Sequence, residues 1–423
     1  MFNIHDLTRN EFMLTGPFAR QGYDWWWHSF TGVSRETGKE RTFFIEFFVC
    51  NPALAESEPV FGSRDGKRKP SYLMVKAGAW GEDAVQIHRF FSLKEAEIRG
   101  KAPFHVRAGN CFVSDTELRG SVHVTKEEAE AHPEYMCGAG DMSWDLYLKK
   151  EIAYNVGYGA GKLFRSLQAF EMYWHAEGMK TAFSGAVVFN GEVYRVSPDT
   201  CCGYSDKNWG SNFTSPWLWL SSGSLYDAET GARLANSAFD IGGGCPKVFG
   251  VSLPRKLLSA FYIEGEEFEF NFSKFWNPAF TRFSCEETED EIIWRVMQET
   301  NTADVKVRIT CPSSGSSAPA MMARRVDFPV PFTPMTPRRS SESIPPVTLS
   351  SRSRFSKLFE TFSSVRILGI SSTLRIRSPR DPPGSRPAGS VPTRSCGTEG
   401  WCLSRFRRSR DGCGAFCRPA IHN

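Results

Sequence analysis

Two aromatic and β-branched runs, "YDWWWHSFTGV" and "RTFFIEFFVC", flank the short segment "SRETGKE" within residues 23–50. The three consecutive tryptophans constrain the fold most, because successive side chains of a strand point to opposite faces of its sheet. Trp26 and His28 would share one face, and Trp25 and Trp27 the other. Both faces of this strand are therefore apolar, and we expect one to line a barrel interior and the other to pack at an interface.

The segment between the two runs predicts a tight hairpin. Glu36-Thr37-Gly38 suits a three-residue loop in which the glycine adopts the left-handed conformation. Such a loop would place His28 opposite Glu46 and Trp26 opposite Phe48. We therefore expect a buried hydrogen bond between His28 and Glu46.

Further along the chain the pattern is also that of strands. Asn190-Gly191 in "AVVFNGEVYRV" is a strong hairpin signal, and "EEFEFNFSKF", residues 266–275, alternates strictly between phenylalanine and polar residues. Helical patterns are confined to residues 125–134 and 161–172. Many short strands with regular turns are typical of barrels and sandwiches, so the sequence predicts a mainly β, antiparallel protein with few helices.

Composition changes near residue 312. Residues 1–311 hold 33 Lys and Arg against 41 Asp and Glu, whereas residues 312–423 hold 18 against 6. The second region also contains 14 of the 25 prolines, and 17 arginines against one lysine. Such a segment cannot bury enough apolar surface to offset chain entropy, so we expect a disordered basic tail. Either the tail contacts acidic partners or nucleic acid, or it is an out-of-frame translation of a GC-rich gene.

Several classes of protein are disfavoured by composition. The acidic body argues against nucleic acid binding through the folded region. No stretch approaches the ~20 apolar residues of a transmembrane helix, which still leaves room for peripheral contact with a membrane. The N-terminus lacks the pattern of a signal peptide, and the 12 cysteines show no zinc spacing. We expect a cytoplasmic protein with reduced thiols.

Common catalytic motifs are incomplete in this sequence. "GYGAGKLF" lacks the first glycine of a phosphate-binding loop, and Leu163 follows Lys162 where Ser or Thr is required. "IGGGC", residues 241–245, does not follow the strand pattern of a dinucleotide site. His175 and Glu177 are too isolated to predict a metal site.

The most specific signal is "GYSDKNWGSNFTSPWLWL", residues 203–220. Its run "YSDKNWG" followed by Trp217-x-Trp219 resembles the tocopherol cyclase family, in which a segment of the form Y-[SA]-[ED]-K-N-W-G precedes a W-x-W strand. The early "GYDWWWHSF" and the strand pair "GMKTAFSGAVVFNGEVYRVSPDT" are similar to that family as well. The resemblance spans residues 11–311, and Asp206 stands where many members have Glu.

This resemblance implies a lipocalin-like fold with two β-barrel units, as in the related carotenoid hydratases. A weak internal repeat agrees with two units, because a Trp-x-Trp segment precedes a Glu-Thr-Gly segment at nearly the same distance at two places in the chain. We expect a first unit at residues 1–150 and a second at residues 151–311 carrying the "YSDKNWG" motif. The tail at residues 312–423 would follow.

The family also implies an isomerase of the intramolecular lyase type. An acid protonates the alkene of a prenylated phenol or quinol, and the phenol oxygen traps the tertiary cation to close a chroman ring. No redox cofactor or metal is implied. The residue types suit this chemistry, because tryptophan faces stabilise cations, apolar walls exclude water, and an apolar setting keeps a carboxyl protonated.

Asp206 and Asp24 are the candidate proton donors. The expected ligand contacts are Trp26, His28, Glu46, Tyr204, Asn208, Trp209, Trp217 and Trp219. A donor role for Asp206 requires Lys207 to point away, because a nearby ammonium lowers the pKa of a carboxyl. The structural alternatives are a turn with an Asp206–Lys207 ion pair, and a strand-capping role for Asp24.

Two other functions compete with the cyclase. A non-catalytic, lipocalin-like carrier of an isoprenoid or lipid would need no carboxyl within its apolar cavity. A carbohydrate-binding β protein would need an open groove with exposed tryptophans and paired carboxylates.

Overall fold

The computed structural model describes residues 10–63, 66–80, 84–156, 162–201, 203–214, 217–227, 230–288, 291–312, 369–376 and 401–403. These residues form mainly antiparallel sheets with two short α-helices, α1 Lys126–Ala131 and α2 Lys162–Ser166, so the prediction of a mainly β protein with few helices is confirmed. Three 3-10 turns occur at Gly16–Ala19, Pro52–Leu54 and Pro133–Tyr135. Within the same ranges, no helix is long and apolar enough to cross a membrane.

The first sheet contains twelve strands. They are β1 Tyr23–Ser34, β2 Glu40–Cys50, β3 Tyr72–Ala79, β4 Val85–Phe91, β5 Glu97–Arg99, β6 His105–Ala108, β7 Cys111–Ser114, β8 Glu117–Val124, β9 Gly140–Tyr154, β10 Met172–Phe189, β11 Glu192–Val196 and β12 Tyr204–Gly210. Their order is β4-β3-β2-β1-β11-β10-β9-β8-β7-β6-β5, and β12 pairs with both β1 and β10. The "YSDKNWG" motif is therefore a central strand of this sheet.

The twelve-stranded sheet is the first unit of the fold, and the region from β13 onwards is the second. Residue 150, where the sequence suggested a division, lies inside β9, and the sheet continues to Gly210. The change to the next sheet falls between residues 210 and 217. The motif strand belongs to the first unit because β12 is hydrogen-bonded between β1 and β10.

The second unit is built from two larger sheets and a small hairpin. One sheet has the order β13-β16-β19-β20, with β13 Trp217–Ser222, β16 Ser237–Gly244, β19 Lys256–Ile263 and β20 Glu266–Phe270. The other has the order β15-β14-β25-β24-β23-β22-β21, with β14 Leu225–Asp227, β15 Arg233–Leu234, β21 Phe280–Glu287, β22 Glu291–Glu299, β23 Ala303–Pro312, β24 Gly369–Ile376 and β25 Trp401–Leu403. β17 Lys247–Val248 and β18 Val251–Ser252 form the hairpin.

Two short segments of the region expected to be a tail are described by the structure. β24 pairs antiparallel with β23, and β25 pairs parallel with β14 and β24. Residues 313–368, 377–400 and 404–423 lie outside the described residues. The expectation of disorder for those residues stays a prediction.

The hairpin formed by β1 and β2 turns where the sequence predicted. Gly38 has a φ of 70°, in the left-handed region that favours glycine. The predicted register, however, is wrong by one residue: Glu46 faces Trp27, and His28 faces Ile45. Because alternate residues point to opposite faces, His28 and Glu46 lie on opposite sides of the sheet. The expected hydrogen bond between them does not form.

The cause of the shift is Ser34. Its backbone N–H bonds to the carbonyl of Lys39, which lengthens the loop to the four residues 35–38. The Ser34 hydroxyl accepts the backbone N–H groups of Glu36 and Thr37 and so stabilises this longer loop. A serine at a strand end commonly competes for turn amides in this way.

The two units pack through faces of different character. On β16, Phe239 and Ile241 point into the core of the second unit, which also contains Trp294. The alternate residues Ala238 and Asp240 point towards the first sheet instead. This contact positions the residues of the candidate site.

Candidate functional site

The side chains of the motif strand β12 divide between its two faces. Lys207 bonds to Asp24 on the face that packs in the core of the first unit. Tyr204 bonds to Asp240 on the face towards the second unit, where Asp206 also lies. Every residue of β12 is buried. Two chemically different clusters therefore lie back to back across one strand.

The first cluster is centred on an ion pair. Lys207 Nζ donates to Asp24 Oδ1, the backbone N–H of Met13 donates to Asp24 Oδ2 at 2.7 Å, and both charged side chains are fully buried. Lys207 Nζ also lies 4.0 Å from the ring centroid of Trp26 and 5.5 Å from that of Trp209. Burial raises the pKa of Asp24 to about 6, although the Lys207 ammonium opposes the rise. These contacts favour a structural role for Asp24.

Further polar groups lie near this cluster. Lys150 Nζ donates to Glu177 Oε2 at 2.7 Å and to Asp115 Oδ1 at 3.3 Å. His28 Nδ1 lies 3.0 Å from Ser205 Oγ, and burial lowers the pKa of His28 to about 3. His28 is therefore neutral at physiological pH and unsuited to be a proton donor.

The second cluster is centred on Asp206. Trp174 Nε1 and Asn208 Nδ2 each donate to Asp206 Oδ2 at 3.1 Å, and neither donor carries a charge. Burial raises the pKa of Asp206 to about 7, although the bonds from Asn208 and Trp174 pull it down. The Lys207 ammonium lies on the other face, as a donor role requires. Asp206 therefore has a substantial protonated population near neutral pH.

A second buried carboxyl, which the sequence reasoning missed, lies beside the first. Asp240 accepts the Tyr204 hydroxyl at 2.8 Å and Trp219 Nε1 at 3.0 Å. Burial raises the pKa of Asp240 well above its ordinary value. The hydrogen bond from Tyr204 lowers this pKa, and the charge of Asp206 raises it. The available signal was a lone acid in the apolar strand "SAFDIGGG".

A row of side chains extends from Asp206 across the sheet. Asp206 faces Trp27, Trp27 faces Glu46, Glu46 faces Lys76, and Lys76 faces His88. Lys76 Nζ donates to Glu46 Oε2 at 3.0 Å, and both side chains are buried. Glu46 is therefore in an ion pair, two strands and about 10 Å from Asp206. Burial, with the Lys76 charge, lowers the pKa of His88 to about 3.

An apolar cleft opens next to Asp206, between β10 and the first sheet of the second unit. It contains about 570 Å³ of empty space, part of it open to solvent. Residues of its wall include Phe170, Met172, Trp174, Gly242, Leu258 and Phe272. Trp174 thus belongs to both features, because it lines the cleft and its indole N–H holds Asp206.

Gly242 allows this arrangement. A Cβ atom at this position would lie 3.1 Å from the indole of Trp174, closer than most side-chain contacts. The glycine run "IGGGC", which matched no dinucleotide motif, therefore lets a tryptophan of the first unit pack directly on β16. Gly242 also pairs with Trp219 of β13.

The structure brings together only part of the predicted site. Asp206, Tyr204, Asn208 and Trp219 form one cluster, which Asp240 and Trp174 complete. The predicted residues on the opposite face are Asp24, Trp26, His28 and Trp209, and Glu46 lies on the Asp206 face beyond Trp27. The backbone of Trp217 pairs with Gly244, but its side chain lies outside the described residues.

No family model and no curated protein matches this chain. Among solved structures, a crystal structure at 2.00 Å resolution of a protein from Nitrosomonas europaea, provisionally named AttH, is similar with a TM-score of 0.39. The two chains are 14% identical, and the match covers 67% of this chain and 79% of that one. A likeness of this degree carries no argument about activity.

Proposed function

We propose that this chain binds an apolar isoprenoid ligand and catalyses a tocopherol-cyclase-type reaction, the acid-catalysed cyclisation of a prenylated phenol. Asp206 is the proposed proton donor. The observation that supports this role is a buried carboxyl held by two uncharged donors, Trp174 and Asn208, with a pKa raised to about 7. An acid that titrates near the working pH is the most effective general acid.

The proposed reaction needs no co-reactant. Asp206 transfers its proton to the less substituted carbon of the prenyl alkene, which leaves a tertiary cation. The phenol oxygen attacks that cation and closes the chroman ring, and the phenolic proton returns to the Asp206 carboxylate. Substrate and product are isomers, so the acid is regenerated in each cycle.

Aromatic side chains around Asp206 suit the cationic intermediate. Trp174 donates to the carboxyl, Trp27 faces it across the strand pair, and Tyr204 lies on the same face. Indole faces attract cations most strongly among side chains, and a buried setting that excludes water would protect the cation from capture.

Trp174 controls access in this proposal. Asp206 is only 7% exposed, and Trp174 borders the cleft while Asp206 does not line it. The indole must therefore turn aside before an alkene in the cleft can contact the carboxyl.

The test compares Asp206→Asn with Asp145→Asn, a surface aspartate of β9. A prenylated hydroquinone is incubated with each protein, the chroman is quantified by chromatography, and bound ligand is detected by native mass spectrometry. We expect Asp206→Asn to retain binding but lose about 100-fold or more in turnover, the scale of a lost general acid. Normal turnover by Asp206→Asn would refute the donor assignment.

The carrier function is the second candidate, and the position of Trp174 favours it. If this indole stays in place, a ligand in the cleft never reaches the acid. In that case the wild-type protein would retain a bound isoprenoid in native mass spectrometry but release no chroman. No contact among the described residues favours the carbohydrate-binding alternative.

A cytoplasmic location and peripheral membrane contact remain parts of the proposal. Five cysteines in the described ranges are free thiols: Cys50, Cys111, Cys137, Cys201 and Cys245. A reducing compartment is compatible with this state.

A further inference from the structure

Exposed apolar side chains cluster in three segments near the cleft, residues 162–170, 245–256 and 271–283. The mouth patch comprises Leu163, Leu167, Phe249, Val251, Phe275 and Trp276, each more than half exposed. Nine large hydrophobic residues are exposed in the described part of the chain, and six of them form this patch. Scattered exposed apolar residues need no explanation, but a concentration of this kind marks an interaction surface.

Hydrogen bonds and the cleft wall connect the three segments. The backbone N–H of Phe249 bonds to the carbonyl of Ala169, and Phe170 forms a β-bridge with Val248, so the residues that follow α2 pair with the β17–β18 hairpin. Phe170, Pro246 and Phe272 all line the cleft, one from each segment. The mouth patch therefore lies around the opening of the cleft whose wall includes Trp174.

Charge distinguishes these segments from the rest of the body. Residues 162–170, 245–256 and 271–283 contain seven basic residues and no acidic residue, although residues 1–311 as a whole are acidic. Two of the seven, Lys247 and Lys274, are paired with Glu171 and Glu269 outside the segments. The apolar patch thus lies within a basic border.

We propose that the mouth patch docks on the surface of an anionic phospholipid bilayer. Exposed aromatic and aliphatic side chains bordered by Lys and Arg are typical of proteins that lie in the membrane interface. Docking would place the cleft opening against the acyl chains, where an apolar ligand is dissolved. The docking deepens the peripheral membrane contact of the proposed function, whereas only the identity of the ligand rests on the proposed cyclisation.

The test is co-sedimentation of the full-length protein with phosphatidylcholine vesicles, with and without phosphatidylglycerol. We expect binding to the anionic vesicles and much weaker binding to the neutral ones. The combined variant Phe249→Ser, Val251→Ser, Phe275→Ser and Trp276→Ser should bind anionic vesicles at least about 10-fold more weakly, because it removes most of the apolar contact. These side chains are exposed, so an unchanged circular dichroism spectrum is expected.

Matched controls separate docking from general stickiness and from catalysis. Tyr147→Ser removes an exposed aromatic side chain of β9 and should bind as the wild type does. Asp206→Asn should also bind vesicles normally, because the vesicles contain no substrate. Equal binding by the wild type and the combined variant, or no binding by the wild type, would overturn the proposal. A wild-type dimer that the combined variant converts to a monomer would assign the patch to a second copy of the chain instead.

Discussion

Asp206 and Lys207 are neighbours in the chain, yet their side chains leave β12 on opposite faces. Lys207 is bonded to Asp24 in the core of the first unit, whereas Asp206 is bonded to Trp174 and Asn208. Strand geometry alone produces this separation, because successive side chains alternate. The Lys207 ammonium therefore pairs with Asp24 and not with Asp206. The pKa of Asp206 stays raised by burial.

Asp24→Asn should destabilise the protein strongly, because it leaves the Lys207 ammonium buried without a counter-charge. Breaking a buried pair in this way costs about 3–5 kcal/mol of unfolding free energy. Urea denaturation of the wild type, of Asp24→Asn, and of Asp24→Leu combined with Lys207→Met measures the effect. The double variant should recover much of the loss. A loss below about 1 kcal/mol for Asp24→Asn would instead indicate a weak pair.

Asp206 should make stability depend on pH. Its folded-state pKa is raised to about 7, so its contribution is complete below the unfolded pKa of about 3.9 and is lost as pH rises to about 7. Relative to Asp206→Asn, the wild type should lose up to about 1.4 kcal/mol per pH unit in this window and level off above it. Denaturation curves at several pH values give the difference. Parallel stability profiles of the two proteins would contradict the raised pKa.

His88 should produce the opposite dependence. Its pKa is lowered to about 3, so its contribution is complete above the unfolded pKa of about 6.5 and is lost as pH falls. Lys76 lies across the strand pair from His88 and forms an ion pair with Glu46 on the same face. Relative to His88→Gln, the wild type should become less stable as pH falls from about 6.5 to about 4. A relative gain in stability over that range would show that His88 is charged in the folded state.

Gly242→Val should displace Trp174, because even a Cβ atom would lie 3.1 Å from its indole. Overpacking of this kind typically costs about 1–3 kcal/mol. Gly223→Ala is a suitable control, because its new Cβ would meet the Lys180 side chain at 3.4 Å and the Met179 carbonyl oxygen at 3.7 Å, both ordinary van der Waals distances. Thermal unfolding measures both, and similar small losses would mean that the glycine is not required for packing.

Local sequence features predicted the strands and turns well. Gly38 and Asn190-Gly191 mark hairpin turns because left-handed residues are needed there, and both turns occur as expected. The capping box of Thr125 and Glu128 likewise starts α1 within the predicted helical segment. Register was harder to predict, because it depended on hydrogen bonds of the Ser34 hydroxyl.

The candidate site was only partly predictable because it depends on contacts between distant segments. Asp206 and Tyr204 stood out from a specific motif. Asp240 and Trp174 did not, because they join the site only when β16 packs against β10 and β12. The weak internal repeat of Trp-x-Trp and Glu-Thr-Gly does not correspond to a repeated strand pairing. The first Trp-x-Trp strand, β1, pairs with β2 across its turn, whereas the second, β13, pairs with β16.

The protonation state of Asp206 tests the central claim most directly. Infrared difference spectra of the wild type and Asp206→Asn, recorded across a pH series, isolate the carbonyl band of this protonated carboxyl. The account predicts a band that is present in the wild type, absent from the variant, and lost as pH rises through about 7. A carboxyl that is already ionised above about pH 4, as an ordinary aspartate is, would contradict it.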